Sequence, residues 1–377
     1  MGDVSCITTQ SAIDITSAGG PAQGGLPWWR DPSELLGQFS DLDRASSSCD
    51  WYRIVDAFVG IDSEDAALRL RFKQVYGDCA SSSPPEPESS MRLHCRVQVS
   101  KNAPANLVTF TAPEGIDIIG FILALFGDRG YVELQSGCDG WRSLGLPHKE
   151  QPLLTARDGR VLVDGLGPWH PLIANCAINW AMRMQREMLF FHAAAVGIDS
   201  AGALITGNKG AGKSTLSTAL AAMGHAFLGD EIVAVRPRTR TLEPCLRAIS
   251  IRPGPRAPQL EKLLHRRAYP TERFPDGTTR TRAQAAELFP KSAALSLPLR
   301  SIFFLCGFED RPRVEAFVPR AADLRLLTPL PCTFWKASPA PPMMQVAKLL
   351  SSVCCYRLHP GSPEDTARLV ERIVRIG

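Results

Sequence analysis

The chain has 377 residues, of which 45% are hydrophobic and 21% charged, and this balance excludes a disordered chain and allows two domains. The formal net charge of +4 is small for this length, so overall charge does not indicate a nucleic-acid or membrane partner. The eleven cysteines form no Cys-x-x-Cys pair, which favours a reducing compartment over a disulfide framework or a zinc site.

The start of the chain and its apolar runs predict a cytoplasmic protein. The first residues lack the basic stretch and the apolar stretch that are typical of a secretory signal. The longest apolar run, residues 116–126, contains Asp117 and is too short to cross a bilayer. We therefore expect no membrane partner.

The first half of the chain predicts a loose arm and then a small α+β domain. Residues 1–48 are rich in Ser, Gly and Asp, which is typical of a loose arm. Residues 49–165 predict a helix that begins at Ser63 and ends near residue 76. Strands are predicted at 52–61, 92–99, 107–111 and 131–135, and a hairpin around Asp158 and Gly159 at 153–163. This half shows no metal-ligand spacing and no nucleophile motif, so no site is predicted in it.

The pattern of residues 166–377 predicts an α/β domain. A long helix is predicted over 169–189, followed by an apolar strand over 190–198 that contains His192. A short turn at 200–202 then leads into the next strand, so the two strands must be antiparallel neighbours. A final helix is predicted after Ser362, with Leu369, Ile373 and Val374 on one face.

Residues 207–214 read Gly-Asn-Lys-Gly-Ala-Gly-Lys-Ser, a complete phosphate-binding loop pattern between a strand and a helix. Its glycines let backbone N–H groups turn towards a polyphosphate, and the following helix adds its positive end. Lys213 would reach the β- and γ-phosphates, and the Ser214 hydroxyl would hold Mg²⁺. The predicted nucleotide-binding residues are Gly207, Asn208, Lys209, Gly210, Ala211, Gly212, Lys213, Ser214 and Thr215.

Two adjacent acids, Asp230 and Glu231, follow a short strand about seventeen residues after Lys213. A strand end at this distance is where nucleotide enzymes place metal and base functions. A turn that favours Asp and Gly is the alternative.

These residues resemble the catalytic domain of the HPr kinase/phosphorylase family, a bacterial serine kinase fold related to phosphoenolpyruvate carboxykinase. The resemblance runs without gaps from His192 through the loop and the Gly224-His225 pair to the acid pair. It covers about forty residues strongly, and residues 1–160 do not share it.

The resemblance implies an α/β kinase domain that uses ATP and Mg²⁺, with roles for matched residues. Asp230 would be the general base, and His192 would orient it and the γ-phosphate. Lys213 would neutralise phosphate charge, and Glu231 would hold Mg²⁺ together with Ser214. His225 is expected to pack.

The chain departs from the family where an acid-x-Arg-Gly segment is expected, because Cys245 stands in place of the acid. Either Glu243 substitutes for it or one metal ligand is lost. We therefore expect an acceptor other than HPr.

Arginines cluster between residues 236 and 282, and the candidates for contact with phosphate or an acidic substrate are Arg247 and Arg252. A solvated basic face is the alternative. Residues 268–298 are rich in proline and predict a mobile loop, a candidate lid.

The leading prediction is therefore an ATP-dependent kinase that phosphorylates a hydroxyl, a serine of a peptide or small protein. The resemblance extends to kinases that modify precursors of ribosomally made peptides such as lasso peptides. The alternatives are a nucleotide-gated binding module and a small-molecule kinase. Nucleic acid is not predicted, because aromatic residues are not interleaved with the arginines. The sequence leaves a homo-oligomer, and ATP against GTP, open.

Overall fold

The structure is a computed structural model. It describes residues 31–37, 39, 49–86, 91–99, 105–112, 117–126, 130–134, 138–149, 152–164, 170–251, 264, 268–273, 279–290, 292, 295–330 and 340–376. These divide into two units. The first contains the described residues of 31–73 and 80–185, and the second contains residues 74–79 and the described residues from 186 onwards. Most of the predicted arm lies outside the described residues.

The first unit is built on one sheet in the order β3-β1-β2-β4-β5-β9-β8-β7-β6. Its strands are β1 (Cys49–Ile54), β2 (Ala57–Ser63), β3 (Ala80–Ser81), β4 (Arg92–Gln98), β5 (Ala105–Thr111), β6 (Val132–Leu134), β7 (Arg142–Gly145), β8 (Leu154–Arg157) and β9 (Arg160–Asp164). Neighbouring strands pair antiparallel except β2 and β4, which are parallel. A parallel pair needs a crossover, and a helix lies between β2 and β4 in the chain.

The helices in this part of the chain are α1 (Pro32–Leu36), α2 (Ala66–Tyr76), α3 (Ile118–Phe126) and α4 (His170–Met184). The predicted helix start is confirmed for α2, because the Asp65 carboxylate accepts a hydrogen bond from the Ala67 amide at 2.8 Å. The α4 helix ends earlier than predicted. Beyond it, buried Gln185 donates to the carbonyl oxygens of Ile54 and Ala181.

One strand prediction in the first unit is wrong. Residues 52–61 form two strands, β1 and β2, joined at Val55, which has a φ of 58°. Apolar and polar residues alternate through both strands of the hairpin, and valine is not typical of turns. The sequence pattern therefore did not indicate a turn at this position. The hairpin at Asp158 and Gly159 is confirmed, since both residues have positive φ and join β8 to β9.

The second unit contains the sheet β10-β14-β15-β19-β12-β11-β13, with β21 beside β19 and β20 beside β21. A smaller sheet has the order β16-β18-β17. The strands are β10 (Leu189–Phe191), β11 (Ala194–Ile198), β12 (Ala201–Gly207), β13 (Ala226–Asp230), β14 (Val233–Arg236), β15 (Thr241–Glu243), β16 (Ile249–Ile251), β17 (Thr271–Arg273), β18 (Thr279–Ala283), β19 (Leu297–Leu305), β20 (Arg313–Ala316) and β21 (Cys354–His359). The helices are α5 (Lys213–Ala222), α6 (Ala285–Leu288), α7 (Ala321–Leu324), α8 (Ala340–Leu350) and α9 (Pro363–Ile376).

The short turn at 200–202 predicts that the strands on either side of it pair antiparallel, and this prediction is confirmed. β11 and β12 are antiparallel, whereas β12 and β19 are parallel. The single strand predicted over 190–198 is wrong, because β10 pairs with β14 and β11 pairs with β12 and β13. The chain changes partners at His192, which lies in the bend between the two strands.

Residues 268–298 are not one mobile loop, because the described part contains β17, β18 and α6. The backbone amide of Ala285, at the start of α6, donates to the Asp78 carboxylate at 2.7 Å. Prolines at the ends of this segment concealed the alternation of threonine and arginine that forms β18. Helix α9 is confirmed, with Ser362 at its start and Val374 buried. In the part of the chain that the structure describes, no helix is long and apolar enough to cross a membrane.

Candidate functional site

The segment between β12 and α5 exposes a glycine-rich backbone. Gly210 and Gly212 have φ values of 81° and 99°, a conformation that side chains other than glycine rarely adopt. Among the described residues, no atom outside Gly210 and its two chain neighbours lies within 4 Å of the place where a side chain on Gly210 would begin. The helix α5 begins directly after this segment, and the first turn of a helix carries backbone N–H groups that have no partner within the helix. The segment can bind an anion.

Lys213 supplies a fixed positive charge at this segment. Its side chain is buried, and Nζ donates to the carbonyl oxygens of Gly207 at 2.9 Å and Asn208 at 3.2 Å. Burial lowers the pKa of the ammonium group, while the negative charges of Glu231 and Asp230 raise it in part. The ammonium is therefore held beside the loop and near both acids.

Asp230 ends β13 and is only 3% exposed. Burial, followed by the charge of Glu231, raises the pKa of its carboxyl to about 7, although a hydrogen bond from the Ser214 side chain lowers it in part. Its Oδ2 atom accepts no hydrogen bond from any residue that the structure describes. A buried carboxylate with a pKa near neutrality can accept a proton, and its open oxygen can bind a cation.

Glu231 has a φ of 68°, which is uncommon for a residue with a side chain and marks a backbone held by its surroundings. Its Oε2 atom lies 3.5 Å from Nδ1 of His192, and its carbonyl oxygen lies 3.2 Å from the same nitrogen. Burial raises the pKa of Glu231, but the positive charges of His192, Arg247, Lys213 and Arg280 together lower it below its ordinary value. Burial lowers the pKa of His192.

These groups line one cavity of about 210 Å³. Its wall consists of His192, Lys209, Gly210, Gly212, Lys213, Ser214, Thr215, Thr218, Asp230, Glu231, Ile249, Ser250, Ile251 and Arg280. Sequence reasoning did not single out Arg280, which is 9% exposed and lies in β18. Only its place in the arginine cluster hinted at a role.

Some predicted residues lie off this wall. Gly207, Asn208 and Ala211 are absent from it, although the first two bind Lys213. Arg247 lies with its guanidinium 5.9 Å from the ring centre of Tyr76 and is also absent from the wall. Arg252 lies outside the described residues. His225 is buried 3.2 Å from Glu371, as a packing residue would be.

The geometry argues against Glu243 as a substitute metal ligand. Its carboxylate accepts hydrogen bonds from Arg236 at 2.9 Å and from Ser296 at 2.5 Å, and it does not line the cavity. Cys245 is buried, and burial raises the pKa of its thiol to about 12. No group of three or more His, Cys, Asp or Glu side chains within the described residues could hold a metal ion. Oxygen ligands at this cavity are therefore few.

Comparison with models of protein families and with curated proteins finds no match. Among solved structures, the chain is similar to the HPr(Ser) kinase/phosphatase from Coxiella burnetii. The two share 14% sequence identity, and the match covers 50% of this chain and 94% of that chain with a TM-score of 0.25. A TM-score this low supports no conclusion about function. The function proposed below is therefore based on the geometry of the cavity.

Proposed function

We propose that the protein is an ATP- and Mg²⁺-dependent phosphotransferase that moves the γ-phosphate to a hydroxyl group. The observation that carries this proposal is the buried carboxylate of Asp230, which shares a cavity with Lys213 and the glycine-rich segment. A base, a cation and a backbone able to bind an anion are the parts that phosphoryl transfer requires.

The two acids suit different tasks. Asp230 has a raised pKa of about 7, so its carboxylate can take the proton from an attacking hydroxyl at neutral pH. Glu231 has a lowered pKa and stays anionic, which suits a cation ligand. His192 positions Glu231 through its ring nitrogen. Lys213 binds the phosphate oxygens on which negative charge increases during transfer.

The cavity fits Mg²⁺, which takes one or two protein carboxylates and completes its shell with water and phosphate oxygens. The open Oδ2 of Asp230 and the hydroxyl of Ser214, which contacts the same carboxylate, are the observations behind this fit. Ser214 and Glu231 would hold the ion, with Asp230 beside them. When bound, Mg²⁺ neutralises charge on the phosphates.

The acceptor that we propose is a serine of a peptide or small protein, and the narrower candidate is the precursor of a ribosomally made peptide. A cavity of about 210 Å³ is smaller than the ~300–1,000 Å³ pockets that enclose drug-sized ligands. It therefore suits a phosphate tail and one entering hydroxyl side chain better than an enclosed small-molecule substrate.

A nucleotide-gated binding module is the second candidate. The observation that favours it is the scarcity of metal ligands, because Cys245 and Glu243 do not reach the cavity wall. Such a module would bind ATP and change shape with little or no transfer.

One assay separates the candidates. The protein is incubated with Mg²⁺, γ-labelled ATP and matched peptides that carry serine, threonine or alanine at one position. We expect label on the serine peptide, and its loss in Lys213→Ala. Bound, intact ATP without labelled peptide would support the binding module, and the absence of both binding and transfer would contradict the whole proposal.

A further inference from the structure

Residues 74–79 form hydrogen bonds to the ends of strands in the small sheet β16-β18-β17, although 167 to 210 residues of chain separate the bonded pairs. They belong to the second unit, whereas the described residues next to them in the chain, on both sides, belong to the first. None of them lines the cavity that holds Asp230 and Lys213. The proposed function therefore gives this segment no role so far.

The first set of these hydrogen bonds is at the start of β16. The Ala248 amide, directly before the strand, donates to the Val75 carbonyl at 2.7 Å. The Cys79 thiol donates to the Leu246 carbonyl at 2.7 Å. Burial raises the pKa of this thiol, so it keeps the proton that it donates. The start of β16 is therefore held by two residues of the segment.

The second set is at the end of β18. Gln284, the next residue, accepts a hydrogen bond from the Asp78 amide at 3.1 Å and donates one to the Gln74 carbonyl at 2.7 Å. The Asp78 carboxylate accepts hydrogen bonds from the amides of Ala285 at 2.7 Å and Ala286 at 3.3 Å, at the start of α6. The side chain of Gln284, directly before α6, makes no capping bond of its own. Asp78 thus supplies the cap of this helix.

Both sets of hydrogen bonds lie at one end of the small sheet. β16 and β18 are antiparallel, and Ile249 at the start of β16 is in register with Ala283 at the end of β18. Arg280 lies three residues before Ala283 in the same strand, and it lines the cavity. Residues 74–79 therefore hold the strand that carries Arg280, at a point about 10 Å along it from this residue.

Apolar packing alone would hold the small sheet less precisely. Ile249, Ala283 and Phe289 belong to one buried apolar cluster. Such contacts are non-directional, so they favour burial without fixing one exact position. Hydrogen bonds weaken steeply when their distance and angle change, so those from residues 74–79 fix the place where β18 ends. The position of Arg280 in the cavity wall depends on that place.

We infer that Asp78 is a positioning residue for phosphate transfer, which fixes the end of β18 and with it the place of the Arg280 guanidinium. This inference rests on the proposed function. Asp78 does not line the cavity, so its effect on transfer passes through β18. What the role requires is a side-chain oxygen that accepts backbone amides, and an asparagine side chain also offers one.

A double-mutant cycle in the full chain tests this role. Values of kcat and KM for transfer from Mg²⁺-ATP to the serine peptide are measured for Asp78→Ala, for Arg280→Ala and for the variant with both changes. We expect Asp78→Ala to lower kcat about tenfold, with KM for ATP within about twofold of the wild type. Adding Asp78→Ala to Arg280→Ala should lower kcat less than about twofold further, because the guanidinium that Asp78 positions is then absent.

Two variants separate positioning from a general loosening of the protein. Asp78→Asn keeps the accepting oxygen and should restore kcat to within about twofold of the wild type. Asp65→Ala is the matched control, because the Asp65 carboxylate also accepts two amides at a helix start, from Ala67 at 2.8 Å and Leu68 at 3.4 Å, but does so in the first unit. Its kcat should stay within about twofold of the wild type.

Amide hydrogen exchange in the absence of nucleotide gives a readout that does not depend on activity. Exchange in residues 279–286 should be faster in Asp78→Ala than in the wild type, and unchanged in Asp78→Asn. If thermal unfolding shows that Asp78→Ala does not fold, Gln284→Ala, which removes the side-chain hydrogen bonds to residues 74 and 78, takes its place in the cycle with the same expected result.

The positioning role is overturned, while the proposed function stands, by any of three kinetic results: a wild-type kcat in Asp78→Ala, the same loss of kcat with and without Arg280, or equal losses in Asp78→Ala and Asp65→Ala. Unchanged hydrogen exchange in Asp78→Ala would overturn it as well, whether or not the protein transfers phosphate. A wild type that transfers no phosphate would contradict the proposed function, and the role of Asp78 in transfer with it.

Discussion

Each of the two units contains a cavity, and the two cavities differ in volume and in how their acidic side chains are paired. The cavity of the first unit has a volume of about 800 Å³, against about 210 Å³ for the cavity at the glycine-rich segment. Arg142, in the wall of the larger cavity, donates to both carboxylate oxygens of Glu133, at 2.6 and 2.8 Å, and to Asp117 at 2.8 Å. The hydrogen bond from Arg142 lowers the pKa of Glu133, so this pair is stable in its charged form.

The smaller cavity shows the opposite balance. Its central acid, Asp230, is buried, has a raised pKa and keeps one oxygen without a hydrogen bond from the described residues. Burial without full pairing costs stability and is retained where a ligand or a reaction uses the charge. The pairing of the charges, rather than the volume, therefore distinguishes the cavity for which we propose a function.

The largest expected effect is on stability. The pKa of Asp230 is raised from 3.8 to about 7 by folding, so the folded protein binds this proton more tightly than the unfolded chain. Stability is therefore lost as pH rises from about 4 to about 7 and stays lower above that range. Asp230→Asn removes the charge and should raise the free energy of unfolding at pH 8, by about 4 kcal/mol at most at 1.36 kcal/mol per pKa unit.

Denaturant unfolding of the wild type and Asp230→Asn between pH 4 and pH 8 measures this difference. The gain should disappear below pH 4, where the carboxyl is protonated in both states. A variant less stable than the wild type at pH 8 would mean that the charge of Asp230 is well paired.

The next largest effect is on kcat/KM, and it should differ between substitutions of one arginine in each cavity. Arg280→Ala should lower kcat/KM for phosphate transfer about 10²-fold, because a buried guanidinium in the wall of the proposed phosphate site would stabilise charge in the transition state. Arg157→Ala, in the wall of the larger cavity, should change kcat/KM less than about twofold because it lies outside the reacting site. Equal losses in the two variants would remove the distinction between the cavities. Thermal unfolding of both variants controls for misfolding.

A smaller change is expected for Glu231→Gln. It keeps the shape of the side chain but removes the negative charge that faces His192 and that would bind Mg²⁺, so kcat/KM should fall at least about tenfold. The pKa of His192 should fall further, because Glu231 raises it in the wild type. NMR titration of the His192 ring measures this shift, and an unchanged or higher pKa would contradict the pairing.

The smallest effect is expected in the larger cavity. The Arg142 side chain is 37% exposed, and ion pairs of this kind contribute only about 0–1 kcal/mol. Arg142→Ala should therefore lower the free energy of unfolding by less than about 1 kcal/mol, and added salt should shrink the difference. A loss of several kcal/mol in urea unfolding would show that this cavity is held together by its charges.

The residues that lie close together in the chain could be predicted from the sequence. The glycine-rich segment, the helix after it and the antiparallel β11–β12 pair follow from local pattern and from a short turn. Asp230 and Lys213 share the cavity because β13 pairs with β11 on the far side of that hairpin. Spacing alone indicated a site there.

The remaining parts of the site depend on pairings between distant residues. Arg280 reaches the cavity through the small sheet β16-β18-β17, which a proline-rich composition concealed. The end of β12 at Gly207 lies beside Leu305 because β19 is the parallel neighbour of β12, although the two strands are about a hundred residues apart in the chain. Periodic patterns within one stretch of sequence do not indicate which distant strands pair, because tertiary packing decides that pairing.

The proposed role of Asp230 is that of the base in phosphate transfer, and a single-turnover assay with γ-labelled ATP measures this role without interference from product release. The wild type and Asp230→Asn are compared at pH 8 with saturating Mg²⁺-ATP and the serine peptide, after calorimetry has shown that each binds ATP. Loss of general-base catalysis predicts a transfer rate about 10²–10⁴-fold lower in Asp230→Asn, with ATP still bound. A variant that transfers phosphate at the wild-type rate would contradict the claim.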